Sequence, residues 1–197
     1  AYSDLPRLRR ELDTLGASGV TVLRIVAASE GPSDAPLQVW PTLQPSPGKF
    51  DEPMAVALDR VLAELRQRGM RAILTLNNQW TWSGGFATYL TWARGEGWRS
   101  IPYPSAHMPS YWEGRPQSLR PLDPSADWHR YQVWAGSFYS TPKAIALAEG
   151  TLRFVLSRVN SLTMVAYRDD PTILAYELCN EPRAVADSAE GDLGEVE

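Results

Sequence analysis

Residues 172–183 read TILAYELCNEPR and join an apolar run to a polar exit. The apolar part, 172–179, predicts a strand, and Asn180 follows it directly. Two similar runs, VTVLRIVAA at 20–28 and MRAILTL at 70–76, predict two more strands. Near-continuous apolar runs are typical of strands that are buried on both faces in parallel sheets.

Helical patterns separate these three runs. Apolar residues at helical spacing predict a helix over residues 1–19, capped by Ser3, and a second helix over 51–69. A short helix over 86–93 and a longer one over 141–160 follow. Alternation of helices and strands indicates an α/β fold in which crossover helices join parallel strands.

The turns after the three strands distinguish two α/β architectures. They read SEGPSD, NNQWTW and NEPRAV. A doubly wound nucleotide-binding domain has a glycine-rich phosphate turn after its first strand, and none of these turns has that pattern. Polar and aromatic residues at strand ends favour a (β/α)8 TIM barrel, whose active site is built there.

The composition excludes several classes of protein. The chain has 197 residues, a formal net charge of -4, 44% apolar residues and 21% charged residues, which is a globular composition. It has neither the long apolar run of a membrane span nor the basic surplus of a nucleic-acid binder. Because His107, His129 and Cys179 lack partners at ligand spacing, we expect no metal and no cofactor.

Glu181 is the leading candidate for acid–base chemistry. It lies at the exit of the third predicted strand, where apolar surroundings can raise the pKa of a carboxyl group enough to make it a general acid. Asn180 beside it offers a donor and an acceptor for a sugar hydroxyl group. The alternative is an ordinary loop in which Glu181 is solvated.

Arg24 is a charged residue within an apolar strand. A guanidinium group cannot lose its proton, so its burial requires a carboxylate or several carbonyl groups. Arg24 could hold a catalytic carboxylate in its ionised form, or it could form a structural ion pair with Glu177. Strand alternation places Glu177 on the same side as Glu181, and we expect it to be a structural partner.

Seven of the eight tryptophans lie between the second and third predicted strands. Aromatic faces can stack on sugar rings, whereas most tryptophans pack against the rest of a domain. Trp80 and Trp82 are predicted to bind sugar because they follow a strand exit and precede Gly84 and Gly85. Residues 95–136 are expected to be a long, irregular, aromatic-rich loop insertion.

Two motifs carry a family resemblance. NNQWTWSGG at 77–85 and RDDPTILAYELCNEPR at 168–183 resemble the endo-β-1,4-mannanases of glycoside hydrolase family 5, most closely the bacterial type. The strand around Arg24 and the following Ser-Glu-Gly at 29–31 also match. The resemblance implies a (β/α)8 barrel that hydrolyses internal β-1,4-mannosidic bonds with retention.

The family also implies roles for particular residues. Glu181 would be the general acid/base, Asn180 would bind the sugar 2-hydroxyl, and Arg24 would support the nucleophile. Trp80 would line a sugar subsite, a role that Trp82 could share because this loop differs in length by one residue within the family. Arg183 would contact the leaving-group side.

The resemblance leads us to expect a partial barrel. Three strands correspond to the family's second to fourth, whereas a whole barrel needs about 250 residues. We therefore expect residues 1–197 to be a catalytic domain truncated at both ends, with no nucleophile. Glu190, Glu195 and Glu197 follow no predicted strand and are not candidates for that role. The 197-residue chain is accordingly expected not to turn over substrate.

The expected partner is β-mannan or a related polysaccharide, with no nucleic acid and no membrane. A polymeric substrate implies an extracellular location, and the full-length parent is expected to be monomeric. Three alternatives remain open: a family 5 β-glucanase or cellulase, a non-catalytic carbohydrate-binding fragment, and a structural or non-folding fragment with two open sheet edges.

Overall fold

The computed structural model describes residues 4–35, 38–104, 113–114, 116, 120–123 and 125–183. Within them, the strands are β1 (Val22–Val26), β2 (Arg71–Thr75) and β3 (Ile173–Glu177). The α-helices are α1 (Leu5–Ala17), α2 (Glu52–Gln67), α3 (Gly85–Arg94), α4 (Trp128–Gly136) and α5 (Pro142–Ser157). Short 3-10 helices lie at Thr81–Ser83, Trp98–Ser100, Ser137–Ser140 and Tyr167–Asp169. None of the helices in these ranges combines the length and apolar character needed to cross a membrane.

The three strands form one parallel sheet in the order β1-β2-β3. Val26 pairs with Thr75, and Thr75 pairs with Glu177, so the carboxyl ends of all three strands lie side by side. This confirms the predicted α/β fold. It also places the loops that follow the strands along one edge of the sheet.

The sheet has a covered face and an open face. The covered face packs against α1, α2 and α5 in a core that contains Leu12, Ala55, Leu62, Leu65, Ala72, Leu74 and Val155. On the open face, Arg24 and Thr75 each donate a hydrogen bond to Glu177. The expectation that every strand is buried on both faces is therefore wrong, and Val22 in β1 is 37% exposed. The physical reason is that the described helices cover one face only.

A second group of helices packs beside the carboxyl edge of the sheet. The prediction that residues 95–136 are an irregular loop is wrong in part, because α4 lies within them. Asp127 caps α4 by accepting a hydrogen bond from the Arg130 amide at 2.8 Å. Tyr131 and Ala135, four residues apart on one side of α4, are buried in a cluster with Trp98. Residues 105–112, which include His107, lie outside the described residues.

Aspartate side chains begin both helices that precede β1 and β2. Asp51 accepts a hydrogen bond from the Met54 amide at 2.8 Å, as expected for the cap of α2. Asp4 accepts from the Arg7 amide at 3.0 Å and caps α1. The prediction that Ser3 is this cap is wrong, because the first helical turn closes on Asp4.

The connection from α5 to β3 is held by the buried carboxylate of Asp59. Arg158 donates to it through Nε at 2.8 Å and through NH2 at 2.7 Å. Tyr167 and Ser161 each donate a hydroxyl group to it at 2.7 Å. Burial would raise the pKa of Asp59, but these hydrogen bonds outweigh it and lower the pKa. The charge therefore persists inside the protein and fixes the chain just before β3.

Candidate active site

Two loops meet at the carboxyl edge of the sheet, one after β2 and one after β3. The amide of Asn180 donates to the carbonyl of Asn77 at 2.9 Å, and the amide of Gln79 donates to the carbonyl of Asn180 at 3.1 Å. These bonds continue the parallel pairing past the strand ends and set Asn78 opposite Asn180. The structure thus brings together two exit loops that are about 100 residues apart in the chain.

Glu181 forms a cluster with Trp80 and Arg183. Trp80 Nε1 donates a hydrogen bond to Glu181 Oε2 at 2.7 Å. The Arg183 guanidinium lies over the Trp80 ring, 5.4 Å from its centroid, and its NH2 atom is 3.9 Å from Glu181 Oε2. Glu181 has a φ of 48°, which costs a non-glycine residue about 1–3 kcal/mol and persists only where surrounding contacts hold it.

Asn180 has both ends of its amide group engaged. Its Oδ1 accepts from Arg24 NH2 at 2.9 Å, and its Nδ2 donates to Asn78 Oδ1 at 3.0 Å. The side chain is nearly buried, so its orientation is fixed before any ligand arrives. Because an amide nitrogen has two hydrogens, one N–H of Asn180 is available for a ligand in addition to the bond with Asn78.

Arg24 contacts Glu177 as well as Asn180. Arg24 Nε donates to Glu177 Oε2 at 2.7 Å, and Thr75 Oγ1 donates to the same oxygen at 2.7 Å. The hydrogen bond from Thr75 and the neighbouring Arg24 lower the pKa of Glu177. The ion pair with Glu177, one of the two alternatives for Arg24, is therefore formed, and the same guanidinium also contacts Asn180. The Arg24 side chain is 46% exposed, so burial of its charge does not by itself require these partners.

Trp80 and Trp82 occupy different positions in the loop after β2. Trp80 packs edge-on against Trp128, with 5.4 Å between the ring centroids, and lies over Tyr131 at 6.0 Å. Trp82 lies in the 3-10 helix Thr81–Ser83, and its side chain is exposed. The Trp82 carbonyl accepts a hydrogen bond from the Val39 amide. Of the two, Trp80 is the one that bonds to Glu181.

Glu30 belongs to this part of the molecule, although the sequence patterns above assign it no role. It is fully buried after β1, and its carboxyl oxygens contact the Gly85 amide and the Tyr89 hydroxyl, both at 2.9 Å. Burial raises the pKa of Glu30 to about 7, against the opposing effect of these two hydrogen bonds. An acidic residue at a strand exit is the signal that could have identified it.

The remaining polar candidates are His107, His129 and Cys179, of which the structure describes the last two. Among the described residues, no group of three or more His, Cys, Asp or Glu side chains is placed to hold a metal ion. Burial raises the pKa of the Cys179 thiol to about 12, which makes it a poor nucleophile, in line with the expected packing role. His129 is exposed on α4.

Comparison with known sequences gives consistent matches. The profile of a family described as glycoside hydrolase family 5 β-mannosidase-like matches residues 1–193. Mannan endo-1,4-β-mannosidase 1 of Solanum lycopersicum is 35% identical over 176 residues, which are 89% of this chain and 34% of that protein. Mannan endo-1,4-β-mannosidase 2 of Oryza sativa subsp. japonica is 36% identical over 182 residues, which are 92% of this chain and 32% of that protein. The chain thus spans about a third of the length of these relatives.

Comparison with solved structures agrees with the sequences. A glycoside hydrolase family 5 mannosidase from Rhizomucor miehei superposes with a TM-score of 0.79 at 32% identity, over 92% of this chain and 40% of that chain. An endo-1,4-β-D-mannanase from Thermotoga petrophila has a TM-score of 0.65 at 23% identity, over 92% of this chain and 43% of that chain, and shows the fold alone. The special likeness to bacterial enzymes stays a prediction. The family match over nearly the whole chain leads to one conclusion: the chain belongs to the β-mannosidase-like group of glycoside hydrolase family 5.

Proposed function

We propose that this chain is part of a retaining endo-β-1,4-mannanase and carries its general acid/base, Glu181. The observation that carries this proposal is the cluster at the carboxyl edge of the sheet. There, the Glu181 carboxylate accepts the indole N–H of Trp80, next to an Asn180 that Arg24 orients. Relatives named as mannan endo-1,4-β-mannosidases support the choice of substrate.

Retaining hydrolysis uses two carboxyl groups about 5–5.5 Å apart. In the first step, Glu181 gives its proton to the glycosidic oxygen while the second carboxylate attacks the anomeric carbon, so the leaving sugar departs neutral. In the second step, the Glu181 carboxylate takes a proton from water, which attacks the same carbon and releases the bound sugar. We propose that the second carboxylate lies outside these 197 residues, since Glu177 is already held by Arg24 and Thr75.

The residues around Glu181 bind the sugar and orient the reacting groups. The free N–H of Asn180 donates to the 2-hydroxyl of the sugar at the reacting centre. Arg24 orients Asn180 and places a positive charge where the nucleophile is expected. Trp80 presents a ring to the sugar and its N–H to Glu181, Trp82 offers an exposed ring further along the same loop, and Arg183 contacts the leaving-group side.

The strands support the proposal of a partial (β/α)8 barrel over residues 1–197, with the 95–136 segment as an insertion. Family members are barrels, and β1 to β3 take the places of their second to fourth strands. Among the described residues, β1 and β3 each pair on one side only. Leu174 and Leu178, at and beyond β3, are 48% and 70% exposed. A further strand beside β3 would cover this edge.

A polymeric substrate also favours action outside the cell by a monomeric parent protein. This location follows from the size of mannan, which does not enter cells intact. The parent's monomeric state is inferred from the family resemblance.

The proposal is tested by replacing Glu181 in the longest product of the encoding gene. We expect Glu181→Gln to lower kcat/KM on mannan by about 10²–10⁴, the contribution typical of general acid–base catalysis. An aryl mannoside with a good leaving group should lose much less, because its departure needs little protonation. Glu11→Gln, at an exposed ion pair on α1, is the matched control and should leave activity unchanged.

Three outcomes would contradict parts of this proposal. Full activity of Glu181→Gln on mannan would exclude Glu181 as the acid/base. Hydrolysis by the isolated 197-residue chain, abolished by Glu181→Gln, would show that the catalytic pair is complete. Faster hydrolysis of cellulose than of mannan would assign the site to β-glucan instead.

A further inference from the structure

Glu30 is a buried carboxyl group that has no counter-charge among the residues that the structure describes. It is fully buried, and none of the described residues forms an ion pair with it. Its Oε2 accepts the Gly85 amide at 2.9 Å, and its Oε1 lies 2.9 Å from the Tyr89 hydroxyl. An unpaired carboxylate in such a place is costly, so the carboxylic acid is the form that burial favours.

The hydrogens available to this group point to the same neutral form. Oε1 begins a row of close contacts: 2.9 Å to Tyr89 OH, then 2.7 Å to Thr151 Oγ1, then 2.8 Å to Gln44 Oε1. Three contacts require three hydrogens, and the two hydroxyl groups supply two. With the Gln44 amide oxygen facing Thr151, a third hydrogen is present only when Glu30 is protonated; in the ionised form, Tyr89 donates to Glu30 Oε1 instead. Loss of this proton would leave one contact empty unless the Gln44 amide turned over.

A second set of contacts joins Glu30 to the turn after Trp80. The Glu30 amide donates to the Ser83 carbonyl at 2.8 Å, and Glu30 Oε2 accepts from Gly85. The turn between them is tight: a Cβ on Gly84 would overlap the Glu30 carbonyl oxygen. Both sides of the Gly84–Gly85 turn are therefore tied to one residue.

Asn78 joins this turn to the candidate active site. Asn78 Nδ2 donates to Ser83 Oγ at 2.9 Å, and the Asn78 carbonyl accepts from the Phe86 amide at 2.9 Å. Asn78 Oδ1 accepts from the Trp80 amide at 3.1 Å and from Asn180 Nδ2 at 3.0 Å. A displacement of the turn would therefore move Asn78 and, through it, Trp80, which contacts Glu181, and Asn180, which precedes Glu181 in the chain.

We infer that Glu30 is a positioning residue of the active site, which as a neutral carboxylic acid fastens the Gly84–Gly85 turn and so places Trp80 against Glu181. It touches neither substrate nor reacting atoms. The inference rests on the proposed role of Glu181 for its functional meaning, and on the contacts above for its structural content.

Ionisation of Glu30 would then be felt at Trp80. Its titratable neighbours are Tyr89 on α3 and Cys179 after β3, whose charged forms would oppose its own. Burial raises the pKa of Tyr89 well above its usual range and that of Cys179 to about 12, so both stay neutral near pH 7. Glu181 also bonds directly to the Trp80 N–H, so a step near pH 7 is assigned to Glu30, whose pKa burial raises to about 7, only when Glu30→Gln removes it.

The test follows the Trp80 indole N–H by ¹⁵N–¹H NMR in the longest product of the encoding gene, with the signal assigned by Trp80→Phe. In the wild type, we expect this signal to shift with a midpoint near pH 7. In Glu30→Gln, whose amide oxygen can accept from Gly85 and whose NH2 can donate to Tyr89, the step should vanish. Across the range around pH 7, the signal should then stay at the position that the wild type has just below the step. Glu11→Gln, on the exposed side of α1, should retain the step.

A ¹³C titration of the wild-type Glu30 carboxyl group needs no variant and covers the case in which Glu30→Gln does not fold. A carboxyl midpoint that coincides with the Trp80 shift supports the inference. Three results would overturn the inference. Glu30 could be ionised already at pH 5, the Trp80 signal could stay constant while Glu30 titrates, or the step could survive in Glu30→Gln.

Hydrolysis of mannan is measured separately, so the two proposals can fail independently. Loss of the mannanase proposal would leave the NMR coupling between Glu30 and Trp80 in place. Absence of that coupling in an active enzyme would remove the role of Glu30 and leave the proposed function intact.

Discussion

At the scale of single residues, Glu30 should make the stability of the protein depend on pH. Its pKa is raised by burial from an ordinary 4.5 to about 7 in the folded protein. The folded state therefore binds the proton more tightly than the unfolded state. The resulting stabilisation is fully present below about pH 4.5, and it is lost as the pH rises through about 7.

We predict that the free energy of unfolding of the wild type, relative to Glu30→Gln, falls by about 3 kcal/mol between pH 4.5 and 7.5. Urea unfolding followed by circular dichroism at a series of pH values measures this difference. Subtracting the Glu30→Gln curve removes the opposite contributions of carboxylates with lowered pKa values, such as Asp59. A difference that stays constant with pH would show that Glu30 does not change its proton affinity on folding.

The residues at the candidate site differ in how far sequence could predict them. An ion pair with Glu177 is one of the two alternatives that a charged residue in an apolar strand leaves open for Arg24, and the two residues do form it. The contact of Asn180 with Asn78 depends on how two exit loops align, which no local pattern encodes. Glu30 has no local signal beyond its place at a strand exit.

At the scale of elements, the Gly84–Gly85 turn and helix α5 offer a matched pair of glycines. Gly85 has a φ of +55°, and a Cβ there would overlap the Asn78 carbonyl oxygen. Gly150 lies within α5 and is exposed, and a Cβ added to it would meet no atom within 4 Å. Gly85 therefore lies where the backbone requires glycine, whereas Gly150 lies where the backbone accepts a side chain.

We predict that Gly85→Ala lowers the free energy of unfolding by at least about 1–3 kcal/mol, the usual cost of a strained backbone conformation. It should also shift the Trp80 indole signal, because Asn78 must move. Gly150→Ala should raise stability by about 0.5–1 kcal/mol, since alanine is favoured over glycine inside a helix. Thermal or urea unfolding of both variants is the measurement. Equal effects of the two substitutions would contradict the tight turn.

Element boundaries show where local signals are sufficient. The Asp51 cap of α2 and the three strands follow from local patterns, and the structure has them. Helix α4 lies in a segment with few helical signals. It forms because Tyr131 and Ala135 find a buried cluster made by residues that precede them by about 30 to 50 positions.

At the scale of the whole molecule, the open edge of the sheet should govern association of the 197-residue chain. β3 pairs only with β2 among the described residues. Leu178 is 70% exposed beside an apolar cleft lined by Phe86, Phe138, Ile145 and Leu152. Exposed strand edges flanked by apolar surface promote pairing between chains.

We predict that the isolated chain associates as its concentration rises and that Leu178→Lys reduces this association. A charge at a sheet edge opposes pairing with another edge. Met164→Lys is the matched control, because Met164 is 75% exposed but belongs to the connection between α5 and β3 rather than to a strand, and it should leave association unchanged. Size-exclusion chromatography with light scattering gives the mass. A monomer at all concentrations, or equal effects of both variants, would refute the role of the edge.

The sequence by itself determined the three strands, the helices α1, α2, α3 and α5, the α/β class, the family and the identity of Glu181 and Asn180 as candidates. These features depend on patterns within about 20 residues, such as apolar periodicity and the Asn-Glu-Pro-Arg motif. Tertiary structure decided the contacts between segments. It selected Trp80 over Trp82 as the partner of Glu181, oriented Asn180 through Arg24 and Asn78, and buried Glu30 beneath the Gly84–Gly85 turn. The physical reason is that burial and hydrogen bonding at the carboxyl edge arise only when parallel pairing brings distant loops side by side.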